Sequence, residues 1–333
     1  MYGFHFQPIW DWLRLAHICS RWRHIIFSSP RRLDLQLLCT FGTPVRNNLS
    51  YWPPLPLIID YSTFQGADDS KGLTPNDEDN IVAALEDSAR VRYVGISVTN
   101  SLLRKTATAM RKPFPVLTHL RLSSKDENVP ALPDEFLGGS APGLRVVHLE
   151  GIMFRALPTL LSSALGLVDL QLLDIPNGSY LPPEAMVASL GALTALSTLF
   201  IEFKSPTPPS RTRRQDSITR MGLPSLTTFV FHGIKEYLEH LVAQIDTSQL
   251  SHFRVSFFNQ LSFQMPQLSK FIGRTQNLCL TRFTHARVNF GVDKVDVVFH
   301  REREEHLENQ FSLQISCREL DWQVSHVAQI LSQ

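Results

Sequence analysis

The hexapeptide LVDLQL, Leu167–Leu172, decides the fold, because its pattern returns along the middle of the chain. Its residues follow the template apolar-x-x-apolar-x-apolar. The last two apolar positions alternate, so both point to the same side of a β-strand. Six further hexapeptides fit the template: VRYVGI from Val91, LTHLRL from Leu117, LRVVHL from Leu144, LSTLFI from Leu196, LTTFVF from Leu226 and LSHFRV from Leu250.

The starts of successive hexapeptides are 23 to 30 residues apart, with a mean of 26.5. This period is typical of leucine-rich repeats, in which each unit is a short strand plus a helix or a looser return. One unit cannot bury its apolar row, but stacked units can. Ile152 and Ile175 stand at the ninth place of their units, where an asparagine is usual, so the repeat is irregular.

The pattern therefore predicts the fold class α/β, as an irregular leucine-rich-repeat solenoid, a curved parallel sheet with helical returns. The alternative is a set of unrelated strands in an α/β domain. The segments between the hexapeptides favour helical returns. Thr74 is a predicted N-cap with Pro75 at the first helical position. The segment LPPEAMVASLGAL is predicted to form a helix that begins at Pro183 and ends near Gly191. The segment IKEYLEHLVAQID carries one apolar helical stripe.

After the hexapeptide that begins at Leu250, the sequence no longer fits the template at a regular spacing. The stretches NLCLTRFTHARVNF, KVDVVFH and FSLQISC still predict strands, and LDWQVSHVAQILSQ predicts a last helix. Residues 205–217, SPTPPSRTRRQDS, are rich in proline, serine and arginine and poor in apolar residues, so they predict a mobile loop.

The opening stretch LRLAHICSRWRHIIFSSPRRLDLQ, residues 13–36, predicts an amphipathic helix that ends at Ser28-Ser29-Pro30 and a strand after it. One stripe of this helix is apolar and consists of Trp12, Leu15, Cys19, Trp22 and Ile26. A basic amphipathic helix also suits a membrane surface or a nucleic acid. Because the helix leads directly into a strand, we expect Trp22 to be buried against that strand or the helix's own continuation.

This stretch resembles the second half of an F-box, in which a Val-Cys pair is followed by Trp-Arg and a short helix. The matching residues are Leu13, Ile18, Cys19, Trp22 and Arg23. An F-box-like helix, then LPLIIDY, then irregular leucine-rich units is similar to a large group of F-box proteins of mushroom-forming fungi. The resemblance implies a partial F-box-like helical segment over residues 1–30 and a leucine-rich solenoid over residues 31–333.

The resemblance also implies a function, that of a substrate-recognition subunit of a cullin-RING ubiquitin ligase. Its partners would be a Skp-type adaptor and an unknown target protein, with no catalytic role for this chain. The implied adaptor-binding residues are Leu13, Leu15, Ile18, Cys19, Trp22 and Arg23. The first half of the F-box, a Leu-Pro opening and a helix ending in Ile-Phe, is not found before Leu13, so adaptor binding is expected to be weak or lost. The alternatives are a leucine-rich scaffold without a ligase link and a truncated F-box relic that does not bind the adaptor.

Composition and motifs favour a binding protein over an enzyme. The net charge is +1, which gives no polycationic field for nucleic acid. There is no phosphate loop ending in Lys-Ser/Thr, no HExxH and no G-x-S-x-G, so neither a cofactor nor a metal is expected. No signal peptide and no spanning apolar run is found. The four cysteines lack a CxxC pair and predict buried thiols in the cytoplasm or nucleus.

Overall fold

Each template hexapeptide contributes a β-strand to the structure, which is a computed structural model. It describes residues 18–28, 35–50, 54–62, 73–97, 99–124, 126, 130–206, 220–258, 265–278, 285–291, 294–300 and 310–316. The strands are β1 (Leu37–Cys39), β2 (Leu57–Tyr61), β3 (Val91–Ser97), β4 (His119–Ser123), β5 (Val146–Glu150), β6 (Asp169–Ile175), β7 (Thr198–Phe203), β8 (Met221–Gly222), β9 (Thr228–Gly233), β10 (Ile245–Asp246), β11 (His252–Phe257), β12 (His285–Phe290), β13 (Lys294–His300) and β14 (Gln310–Ser316).

Twelve of these strands form one sheet in the order β1-β2-β3-β4-β5-β6-β7-β9-β11-β14-β13-β12. All neighbours from β1 to β14 in this order are parallel. The protein is thus an α/β protein in which successive units add successive strands to a large parallel sheet, as in a solenoid.

The apolar template positions form continuous rows through the core. All three apolar positions of every hexapeptide are buried, as the pattern predicts. The rows arise because the strands pair in phase: Leu170 of β6 lies opposite Val147 of β5 and Leu199 of β7. Each fully buried leucine contributes about 1.5–3 kcal/mol to folding, and a row of them holds each unit to the next.

The returns between strands form helices on one side of the sheet. They are α2 (Val45–Asn48), α3 (Pro75–Glu86), α4 (Asn100–Ala109), α5 (Leu157–Ser163), α6 (Pro183–Leu190), α7 (Lys235–Gln244) and α8 (Pro266–Arg274), preceded by α1 (Ser20–Ser28). Helices α2 to α4 contact one another in sequence, as do α5 to α8. The helix predictions at Thr74 and Pro183 and the apolar stripe of α7 are confirmed.

A second repeat feature lies at the second template position. There a side-chain hydroxyl donates a hydrogen bond to the backbone carbonyl at the same position of the preceding unit, over 3.1–3.3 Å, and the donors are Thr118, Ser197, Thr227 and Ser251. A hydrogen bond of this kind contributes about 0.5–1.5 kcal/mol. The hydroxyls therefore fix the register between units where the apolar rows alone would tolerate a shift along the strands.

The far end of the sheet departs from the parallel order. The three strands predicted after Leu250 are present, and β14 pairs parallel with β11. However, β13 runs antiparallel to β14, and β12 antiparallel to β13. The part of the sequence that no longer fits the template thus contains the strands that run antiparallel.

Two expectations for the N-terminal region are wrong. Trp22 is 46% exposed, not buried against β1, and Cys19 is exposed, not a buried thiol. The reason is that α3 contacts both β1 and β2, so the inner side of β1 is already covered. Cys39, on β1, is buried as expected, and burial raises the pKa of its thiol to about 12.

Two other predictions fall outside the described residues. These are the mobile loop, of which residues 207–217 are not described, and the last helix, residues 320–333. Within the described part of the chain, no helix is both long and apolar enough to span a membrane.

Candidate functional site

Residues 18–28, which end in helix α1, carry a row of exposed apolar side chains. Trp22 and Ile25 are 46% and 48% exposed and lie three residues apart on one face of α1, and Ile18, two residues before the helix, is 61% exposed. The backbone N–H of Arg23 donates to the Cys19 carbonyl over 3.0 Å, so helical bonding reaches back to Cys19. This row contains two of the predicted adaptor-binding residues, Ile18 and Trp22.

The other predicted adaptor-binding residues divide into two groups. Cys19 and Arg23 lie on the same helical segment and are exposed. Leu13 and Leu15 lie outside the described residues. The structure therefore brings Ile18, Cys19, Trp22 and Arg23 together on one short exposed segment, and Ile25 joins them although the sequence analysis did not single it out.

A second candidate surface is the side of the sheet that the described helices leave uncovered, hereafter the open face. Its side chains alternate with the buried rows, so they occupy the x positions of the template. The central row of the open face runs across neighbouring strands in register and consists of Asp60, Gly95, Arg121, His148, Gln171, Phe200, Val230 and Arg254.

Over β5 and β6 the open face holds a chain of polar contacts. His148 Nδ1 lies 3.0 Å from Gln171 Oε1, and Gln171 Nε2 donates to both carboxylate oxygens of Asp169 over 3.0 Å. His148 Nε2 lies 3.7 Å from Glu150 Oε2. Because Gln171 can accept with its oxygen and donate with its nitrogen, it fixes the orientations of both neighbours.

Over β2 to β4 the open face is more deeply buried, and this shifts several pKa values. Burial raises the pKa of Asp60, whose carboxylate accepts bonds from the Ser62 hydroxyl and N–H, and nearby Arg121 partly offsets the shift. Burial, with Asp60 close by, raises the pKa of Tyr93 to about 12. Burial also lowers the pKa of His119, and three arginines lower it further: Arg121, Arg92 and Arg145.

Beyond β6 the central row becomes apolar. Phe200 on β7 and Val230 on β9 lie side by side and are half-buried. The row then reaches the exposed Arg254 of β11, which lies opposite Ser312 of β14. The central row is thus polar or charged on β2, β4, β5 and β6, apolar on β7 and β9, and charged again on β11, while Glu202 of β7 and His232 of β9 add polar groups to the open face beside the apolar pair.

The described residues contain no group of three or more histidine, cysteine, aspartate or glutamate side chains able to hold a metal ion. The polar chain of His148 joins an imidazole, an amide and two carboxylates.

The sequence analysis did not identify the open-face residues. The sequence does contain a signal for them, because the residue between the last two apolar positions of each hexapeptide belongs to the central row. A scan against protein-family models and a search of curated proteins find no match to this chain.

Proposed function

We propose that this protein is an F-box-type substrate-recognition subunit of a cullin-RING ubiquitin ligase. The segment around α1 binds a Skp-type adaptor, and the leucine-rich solenoid binds a target protein through its open face. The chain itself carries out no chemistry and brings the target to the ligase.

The observation that carries this proposal is the exposed apolar row of residues 18–28. A contiguous row of large apolar side chains in water is unfavourable and typically marks an interaction site. Ile18, Trp22 and Ile25 form such a row. Two of them, together with Cys19 and Arg23, belong to the part of the sequence that resembles an F-box.

The open face supports the second half of the proposal. Protein recognition needs a broad surface with both polar and apolar groups, and the central row offers both. The side chains of the central row are held rigidly, because each strand that carries them is bonded to a neighbouring strand on both sides. Adaptor and target would thus use different surfaces.

Titration calorimetry of residues 1–333 with a purified Skp-type adaptor tests the proposal. We expect measurable binding, weaker than that of a complete F-box protein because only the second half of the pattern matches. Trp22→Ala should weaken it at least about tenfold, as expected when an interface hot spot is lost. The same change should leave the melting temperature nearly unchanged, because Trp22 is 46% exposed.

Leu165→Ala is the matched control, because Leu165 is also a large exposed apolar residue, at 57%, but lies far from α1 in the chain. It should leave adaptor binding unchanged. Absence of adaptor binding by the native chain would refute the ligase role and favour a leucine-rich scaffold or an F-box relic. A large loss of stability in Trp22→Ala would show that Trp22 is a packing residue.

A further inference from the structure

Strand β12, His285–Phe290, ends the sheet at an edge that is built like an interior strand. It pairs with β13 along its whole length without a register shift, and no other described strand pairs with its far side. Natural edge strands are commonly protected by a short length, a proline or a bulge. Strand β12 has six residues with neither a proline nor a bulge, whereas β1 at the opposite edge has only three residues. Strand β12 is therefore the edge that can accept a further strand.

An apolar row of the core runs through the sheet to this edge. Directly opposite residues of neighbouring strands point to the same side, and this row consists in register of Leu172, Ile201, Phe231, Val255, Leu313, Val297 and Val288. Val297 is fully buried, while Val288 on β12 is only partly buried against the core. Phe290 lies on the same side of β12 and is 49% exposed. The row thus ends on apolar side chains that face water.

We propose that β12 pairs antiparallel with β12 of a second copy of this chain, about a two-fold axis that passes through Val288. A two-fold axis perpendicular to the sheet reverses the direction of the second strand, so such a pair is necessarily antiparallel. The apolar row would then continue from Val288 into Val288 and Val297 of the second copy. This dimer goes beyond the proposed function and does not rest on it, and it would join two open faces into one surface.

The side chains of β12 select the register of this pairing. A shift by one residue would place apolar residues opposite polar ones, so the axis passes through a residue and not between two. The two longest overlaps have the axis at Arg287, which opposes residues 285–289, or at Val288, which opposes residues 286–290. The first places two arginines directly opposite each other, which is unfavourable. In the second, Val288 meets its own copy, and Arg287 meets the amide of Asn289.

The contact is confined to one strand from each copy, so the dimer should be weak. Interfaces that bury less than about 1,200 Å² are typical of transient association. We expect a dissociation constant between about 1 µM and 1 mM. Below that concentration range the chain is a monomer and the β12 edge is open to solvent. The amides of β12 should therefore exchange quickly in dilute protein and more slowly as the dimer forms.

Sedimentation of the full chain over a range of concentrations tests the association and its register. Asn289→Glu should tighten the dimer at least about threefold, because each of its two glutamates would oppose an arginine, and Asn289→Arg should weaken it by a similar factor. Gln249→Glu and Gln249→Arg are the matched controls. Gln249 is an exposed amide in the turn before β11, three strands from β12, and neither change should alter the association.

Cysteine cross-linking tests the position of the axis. Only a residue on the axis lies opposite its own copy, with Cβ atoms close enough for a disulfide. Under oxidation Val288→Cys should give a covalent dimer and Arg287→Cys should not, with the exposed Cys19 replaced by serine in both. Melting curves of all variants in dilute solution should lie close to that of the native chain, which excludes unfolding as the cause of any difference.

The proposal fails if the chain stays monomeric up to about 1 mM, if the charge at position 289 does not change the association, or if Arg287→Cys cross-links in place of Val288→Cys. A monomer whose β12 amides exchange slowly at every concentration would also overturn it and would show that another segment of the chain covers this edge. Adaptor binding enters none of these measurements, so a failure here is distinct from a failure of the proposed function.

Discussion

At the scale of single residues, Gly151 shows how backbone conformation determines which residue type a position accepts. Gly151 follows β5 with φ of +63°, and its N–H donates to the Leu173 carbonyl over 3.0 Å. A Cβ on this residue would overlap the carbonyl oxygen of Ser124. Glycine is therefore required here both for its conformation and for the close approach of two units.

Gly151→Ala should destabilise the protein by at least about 1–2 kcal/mol, the cost of a left-handed conformation for an L-residue. Chemical denaturation would measure the change. Gly166→Ala is the control, because a Cβ on Gly166 has no atom within 4 Å, and it should have little effect. Equal stability of the two variants would show that the segment after β5 can relax without cost.

Asp77 closes the N-terminus of α3 in a capping box with Thr74 and also accepts the Gly42 N–H over 2.9 Å. Burial by itself would raise the pKa of this carboxyl, but the hydrogen bonds from Thr74 and Gly42 hold it below the usual value. The carboxylate is thus stabilised by the fold. Its contribution is complete above the unfolded-state pKa of about 3.9 and is lost as the pH falls through the lower folded-state pKa.

Asp77→Asn should therefore cost about 0.5–2 kcal/mol at pH 7, the range for a lost helix cap. The difference from the native chain should shrink as the pH falls below about 4. Urea unfolding at several pH values would measure this. Asp79→Asn on the same helix should change little, because Asp79 is exposed and pairs only at the surface with Arg46, over 3.2 Å. A constant difference at all pH values would contradict the role of the charge.

At the scale of the element, the strand of each unit has one buried side and one side on the open face. In β7 the neighbouring residues Thr198 and Leu199 point to opposite sides. Leu199 is fully buried between Leu170 and Phe229 of the adjoining strands, while Thr198 is half-buried on the open face. The same strand thus supplies both the core and the candidate binding surface.

Leu199→Ala should destabilise the protein by about 2–5 kcal/mol, because it leaves a cavity in a continuous apolar row. Thr198→Ala should cost less than about 1 kcal/mol, as is usual for substitutions away from the core. Thermal or chemical unfolding distinguishes the two. Similar losses for both variants would show that the open face is packed rather than open.

At the scale of the whole molecule, the sheet has two edges and a continuous interior. Strand β1 forms one edge and β12 the other, while β4 to β7 have bonded neighbours on both sides. Opening an interior strand breaks two ladders and disturbs the apolar rows, whereas an edge strand breaks only one. Local stability should therefore rise from the edges to the middle.

Hydrogen exchange followed by mass spectrometry should show slow exchange in peptides from β4 to β7 and faster exchange in β1 and β12. Peptides from β14 should resemble the interior, since β14 lies between β11 and β13. Protection of β12 equal to that of β6 would contradict this expectation and show that another segment covers the β12 edge.

The sequence by itself determined the seven central strands, their buried rows and helices α3, α6 and α7. These features are local, because side-chain alternation, proline at a helix start and a capping residue act within a few positions, and stacking repeats them from unit to unit. Only the tertiary structure decided that α3 covers β1, which leaves Trp22 exposed, and that β13 and β12 run antiparallel beyond β14. It also decided that Arg121 lies between Gly95 and His148 on the open face. Such pairings join residues distant in the chain, and no local preference specifies which segments come together.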